Sequence, residues 1–203
     1  MARYTGPRVR ITRRFNTPIF GPTKYLERRP YPPGVHGPKM RRKHTDYGLG
    51  LIEKQKLRYY YGLMERQFRG VYERARQRRG ITGEQMLQIL ETRLDNVVFH
   101  LGFGNTRAQA RQMVCHGHIK VNGRKVGIPS FALKVNDVIE VRDKNVSKQM
   151  AMKAIESGGA SRNAPDWLSL DKTTLKGVVM RIPSRDEIQP IANEQAVVEF
   201  YSR

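Results

Sequence analysis

TRAQARQMVCHGHIKVNGRKV, residues 106–126, changes its hydrophobic period half-way along. Ala110, Met113 and Val114 recur at the three-and-four spacing of one helix face, with Asn105 or Thr106 as N-cap and Gly117 placed to close the helix in a left-handed conformation. From His118 the period is two. Runs 118–121 and 124–128 flank Asn122-Gly123, the strongest short-range hairpin signal, and a two-residue turn sets Val121 opposite Arg124, Lys120 opposite Lys125 and Ile119 opposite Val126. The segment therefore predicts a short helix packed on a hairpin, apolar on one face and basic on the other. Two lysines directly across a ladder repel unless an anion lies over them. Arg107 and Arg111, one turn apart, lie at the edge of the apolar stripe, with Gln109, Gln112 and His116 on the outer side. Such a surface offers arginine forks for phosphate, amide and imidazole groups for sugar or base edges, and lysines beyond.

Helical patterns precede this stretch and strand patterns follow it. Leu57, Tyr60, Tyr61, Met64, Phe68, Val71, Tyr72 and Ala75 keep one helical stripe from Leu49 towards Gly80, weakened at Gly62 and Gly70 and ending on Arg74, Arg76, Arg78 and Arg79. Thr82-Gly-Glu-Gln85 reads as a capping box for a second stripe, Leu87, Leu90, Leu94, Val97, Val98 and Leu101, which Gly102 and Gly104 end. Runs 131–135, 138–142 and 175–182 are strand-like, 147–156 is a short helix stopped at Gly158-Gly159, and Trp167 and Leu168 anchor the loop between them. Asn193 caps a last helix with Val197, Phe200 and Tyr201 on one side. That side needs a helical surface, so the chain's end is expected to return to the early helices. The fold class is α+β: a basic arm (1–46), a mainly helical domain (47–91 with 184–203), and an inserted module of helices and a small antiparallel sheet (92–183).

Across 203 residues, 38 Lys and Arg face 18 Asp and Glu, a formal charge of +20 that repels itself unless a polyanion neutralises it. Residues 1–44 hold twelve of those cations against the lone Glu27, and seven of the 11 prolines. They are expected to be extended or turn-rich, with too few aromatics for a core, and Tyr4, Phe15, Tyr25 and Tyr31 are available to stack on bases or arginines. No apolar run is long enough to span a bilayer and no signal-peptide pattern follows Met1, so no membrane partner and a cytoplasmic location are expected. Cys115 is the single cysteine, and His36, His44, His100, His116 and His118 form no His-Glu-x-x-His pattern, so neither metal nor cofactor nor catalytic role is expected. The aromatic strand pattern of single-strand readers is missing, which favours phosphate and 2′-hydroxyl contacts on folded RNA.

LETRLDNVV from Leu90 and ARQMVCHGHIKVNG from Ala110 resemble the small-subunit ribosomal protein S-four family. MARYTGP at the start, YPPGVHG from Tyr31, EKQKLR from Glu53 and the closing VEFYSR resemble it too, so the similarity covers nearly the whole chain. Residues 93–141 alone are less specific, because pseudouridine synthases, tyrosyl-tRNA synthetases and a heat-shock ribosome-binding protein carry a similar module. The resemblance implies a primary binder of small-subunit (16S) rRNA that nucleates assembly of the subunit body, touches neighbouring small-subunit protein number five at a junction affecting accuracy, and lies near the channel by which messenger RNA enters. By position, Arg107, Arg111, Gln112, His116, Lys120, Asn122, Arg124 and Lys125 match the family's RNA-binding module. Arg8, Arg10, Arg13 and Arg14, then Arg28, Arg29, His36, Arg41, Arg42 and Lys43, match its RNA-bound arm; Arg3, Lys56 and Arg58 complete the expected set. Two departures stand out. Many relatives hold zinc through a cysteine cluster in the arm, whereas this arm has no cysteine, and His100 replaces a common arginine or lysine. The alternatives are an RNA-modifying enzyme, for which no catalytic domain is present, and a free-standing regulatory or stress RNA-binding protein, which would lack the basic arm.

Overall fold

The computed structural model describes residues 4–21, 23–39, 44–159, 164–189 and 191–202. Two compact units emerge, one built from residues up to 86 together with those from 189 on, the other from 87–188. The first contains α1 (Arg8–Phe15), α2 (Lys24–Arg28), α3 (Asp46–Tyr60), α4 (Glu65–Arg76) and the last helix, α9 (Glu194–Ser202). The unit boundary falls within α5 (Thr82–Glu91). In the second unit lie α6 (Leu94–His100), α7 (Arg107–Cys115), β1 (Ile119–Val121), β2 (Arg124–Lys125), β3 (Val138–Val141), α8 (Asn145–Ala154), β4 (Leu168–Asp171) and β5 (Lys176–Val179).

In the first unit, α1 corrects the expectation of an extended arm without a core. Pro7 and Pro18 flank the helix rather than interrupt it, leaving Ile11 and Phe15 on one face. These two and Ile19 are buried, and Tyr4, Phe20, Ile52, Tyr59 and Tyr60 pack against them, so α3 supplies aromatics that the arm lacks. The single stripe expected from Leu49 to Ala75 is two helices. Gly62 adopts φ +65°, with Gly62 N–H on the Tyr59 carbonyl (3.1 Å) and Leu63 N–H on that of Arg58 (3.0 Å), a Schellman ending that reverses the chain before α4. Asn193 Oδ1 accepts the Gln195 and Ala196 amides at 3.0 and 3.2 Å and so opens α9. This helix packs on α3 at Gly50, where a Cβ would lie 3.3 Å from Phe200 Cβ. Tyr201 stacks on Tyr72 at 4.9 Å and donates its hydroxyl to Glu65 Oε1 at 2.8 Å. The same oxygen accepts from the buried Lys54 Nζ at 2.8 Å. Burial opposes ionisation of Glu65, but these donors and the nearby Arg58 outweigh it and hold the carboxyl below its ordinary range.

In the second unit the helical stretch from Thr82 also breaks, at Arg93. Side chains two apart point to opposite sides of a helix, yet Arg93 grips Asp95 with two parallel bonds, Nε to Oδ1 at 3.0 Å and Nη2 to Oδ2 at 2.8 Å. The fork is reachable because Arg93 is extended (φ −70°, ψ 139°), and the 128–133 loop fixes this kink: Leu94 and Asp95 donate to the Phe131 and Pro129 carbonyls, and Leu133 to that of Thr92. Run 131–135 thus supplies only an isolated bridge, Ala132 to Arg93, and not the expected strand. The five strands form one antiparallel sheet, ordered β2-β1-β3-β5-β4. Leu94, Val97, Val98 and Leu101 of α6 and Ala110, Met113 and Val114 of α7 share a core with Ile119, Val121, Ile139, Val141 and Val179. Trp167, 2% exposed, anchors this core as expected, and Leu168, beyond its expected role, starts β4. Gly177 leaves room for Leu101, since a Cβ there would lie 2.5 Å from both Leu101 methyls and the buried leucine would have to shift.

Candidate nucleic-acid interface

Thr106 opens α7 by accepting the Gln109 amide on its hydroxyl at 3.2 Å, and the helical period then turns Gln112, Cys115 and His116 to the exposed side. Gln109 is spent on the cap, because its Oε1 accepts the Asn105 amide at 2.9 Å. After Gly117 (φ +72°) comes the hairpin, in the expected register: Lys120 pairs with Lys125 and Val121 with Arg124 around Asn122 (φ 50°) and Gly123 (φ 77°). These two left-handed residues match a type I′ turn. Lys125 crosses Gly117 so closely that a Cβ there would be 2.1 Å from its Cε. The φ is what requires glycine at Gly117, since the exposed tip of Lys125 can swing aside.

The register continues across the sheet and produces a charged row: Lys125, Lys120, Glu140, Lys176, Asp171. Lys176 Nζ bonds Glu140 at 2.8 Å, so charges alternate everywhere except at the β2 edge, where Lys125 and Lys120 adjoin. Lys120 has Glu140 on its other side. Among the described residues Lys125 has no such neighbour, and it is exposed, as is Arg124, which makes the β2 edge the electrostatically unbalanced end of the row.

Other expected contacts fall elsewhere. Arg111 is buried, with Nη1 3.1 Å from Asp95 Oδ2, and forms a triad with Arg93 instead of an outward fork. Arg107 turns inward as well, its Nε on Asn96 Oδ1 at 2.9 Å and its guanidinium 4.3 Å from the Phe99 ring centre. Asn96 is itself fixed by Glu91 Oε2 at 2.6 Å, and the same oxygen meets His100 Nε2 at 3.0 Å, so His100 faces a carboxylate. Asn122 uses both ends of its amide in the turn, Nδ2 on Asp137 and Oδ1 on the Val138 amide, each at 2.9 Å. Lys56 bonds Glu53 at 2.7 Å, and Arg58 bonds Gln55 at 2.7 Å over the Tyr59 ring. In the arm, Arg13 binds the carbonyls of Arg29 and Tyr31 and lies 4.9 Å from the Tyr31 ring centre, so it organises the arm. Arg8, Arg10, Arg14, Arg28, Arg29 and His36 are exposed. Arg3, Arg41, Arg42 and Lys43 lie outside the described residues.

Beside His118 lie Arg142 and Lys144, just beyond the end of β3, neither of them among the expected contacts. His118 Nδ1 is 2.9 Å from Ser147 Oγ, and burial, then His116, Arg142 and Lys144, push its pKa below the ordinary 6.5. The unfolded chain therefore takes up a proton at a higher pH than the folded one. Stability contributed by neutral His118 is full above 6.5 and is lost as the pH falls through the window below it. Urea midpoints should drop between about pH 7 and pH 5, with a shallower drop in His118→Gln.

Residues 3–91 match the family model described as ribosomal protein S4/S9 N-terminal domain, and residues 92–139 that of the S4 domain. The chain belongs to the uS4 family. A small ribosomal subunit protein uS4 from Opitutus terrae is 57% identical over 203 residues, spanning the whole of both chains. Those from Akkermansia muciniphila and Amoebophilus asiaticus are 55% identical over 204 residues and 50% over 203, again over the whole of both chains. Within this uS4 chain the S4-domain match includes the Arg93–Asp95–Arg111 triad and the hairpin and ends in β3, while β5 and β4 extend the sheet beyond it. Among the described residues no helix is long and apolar enough to cross a membrane, and no cluster of potential ligands could hold a metal ion.

Proposed function

We propose that this chain is a structural constituent of the small ribosomal subunit and a primary binder of its 16S rRNA, nucleating assembly of the subunit body. The observation that carries the reading is identity of half or more, along the whole of both chains, with proteins named small ribosomal subunit protein uS4. Geometry supports a division of labour. Arg124 and Lys125, with Lys120 behind them, meet phosphates at the β2 edge, while Gln112 and His116 reach sugar or base edges from α7. The exposed arm arginines hold a further stretch of RNA, and Arg107 and Arg111 act by fixing the module's shape.

The role is architectural: binding free energy orders the RNA, and no bond is made or broken. Contact with small-subunit protein number five, an influence on accuracy and proximity to incoming messenger RNA belong to the same reading, as does a cytoplasmic location. Co-sedimentation of the purified protein with small subunits under rising salt tests it, with filter binding to small-subunit rRNA in parallel. Retention at low salt and a steep log–log loss of affinity with salt are expected. Recovery in the free fraction at low salt would reject the reading in favour of a free-standing RNA-binding protein.

A further inference from the structure

Gly70 stands in the middle of α4, a twelve-residue helix, on the side away from the buried Phe68, Val71, Tyr72 and Ala75. Glycine weakens a helix interior, so its presence calls for a reason. None of the usual reasons applies within the described residues. Its φ is not positive, and nothing lies within 4 Å of where a Cβ would be. The helix runs through it unbroken, with Arg74 Nε donating to its carbonyl at 3.1 Å.

The surroundings of this gap are cationic. Arg66 and Arg74, one turn before and after, and Arg69 and Arg76 on the flank are all exposed, and of the two nearby acids Glu73 is taken by Arg69 at 3.2 Å. We propose that α4 presents a second RNA-contact face, on which a phosphodiester backbone comes into van der Waals contact with the helix at Gly70 while Arg66 and Arg74 bind the phosphates on either side. The inference rests on the RNA-binding reading above. A missing side chain at this point lets the polyanion approach the helix backbone, and arginine is the side chain whose planar fork matches a phosphate.

Two substitutions in the full-length protein separate this from a neutral glycine, because stability and affinity move in opposite directions. Gly70→Ala should raise the thermal midpoint by about 2–4 °C, the shift expected for a mid-helix glycine with open space at its Cβ in a chain of this size. The same variant should weaken filter binding to small-subunit rRNA by about tenfold, the size of one lost charge-assisted contact, and Gly70→Leu should weaken it further. A lower midpoint for Gly70→Ala would mean that the fold itself requires the glycine, and would overturn the proposal. So would unchanged rRNA affinity in both variants. Unchanged rRNA affinity with lost co-sedimentation would assign the face to a protein partner instead. If the unsubstituted chain itself does not bind the rRNA, the underlying reading fails, which is distinct from all three.

Discussion

Asp95→Ala is expected to destabilise the protein by about 3–5 kcal/mol, the cost of breaking a buried ion pair from one side. Its carboxylate lies between two guanidiniums, and the three side chains are 7%, 7% and 11% exposed for Arg93, Asp95 and Arg111. Without the carboxylate Arg111 loses a buried acceptor, and the Arg93 fork that accompanies the break between α5 and α6 is gone. Losses of this size approach the whole stability of many domains, so the variant should unfold at much lower urea. Arg111→Met should cost less, because Asp95 keeps its bidentate partner and the new side chain packs in a buried position. If Asp95→Ala shifted the free energy by under about 1 kcal/mol, the triad would be incidental to the fold. Arg111→Met also distinguishes the two roles assigned to Arg111. A buried structural arginine predicts rRNA affinity close to that of the unsubstituted protein once both are folded, whereas a phosphate fork predicts a lower salt slope.

Arg111 illustrates how far the sequence could be read. The hairpin was legible to the residue because Asn122-Gly123 is a local instruction: two left-handed residues fix the register, and the register fixes which side chains are opposite. Gly117 and Asn193 were legible for the same reason, and Thr106 as one of two candidate caps beside Asn105. Arg107 and Arg111 were placed correctly at the edge of the helix's apolar stripe, but helical spacing alone does not say whether such an arginine turns out or in. That is decided by Asp95 and Asn96 on α6, and by a kink at Arg93 that lies outside the reach of a periodic pattern. α1 is hard to read from sequence for another reason: a proline count over residues 1–44 carries no positions, and the aromatic surface completing that small core comes from α3. β4 is four residues long, and its alternation in Leu168-Ser-Leu-Asp is too brief to separate from a loop.

At the β2 edge the expected effect is on binding alone. Arg124→Gln with Lys125→Gln should lower affinity for small-subunit rRNA roughly 10- to 100-fold at moderate salt and reduce the log–log salt slope by about two units, one per lost phosphate contact. Both residues are exposed, so the urea midpoint should stay within about 0.5 kcal/mol of the unsubstituted protein, with relief of the Lys120–Lys125 repulsion acting in the stabilising direction. The charged row supplies its own controls. Lys176→Gln removes the same charge from the same row, but Lys176 is already matched by Glu140 at 2.8 Å and should change affinity little. Glu140→Gln releases Lys120 and Lys176 together and should tighten binding several-fold with a steeper salt slope. Equal losses from Lys176→Gln and from the β2-edge pair would show that RNA senses only the net charge of +20. Unequal losses, with a gain for Glu140→Gln, would show that it senses the one place in the sheet where like charges adjoin.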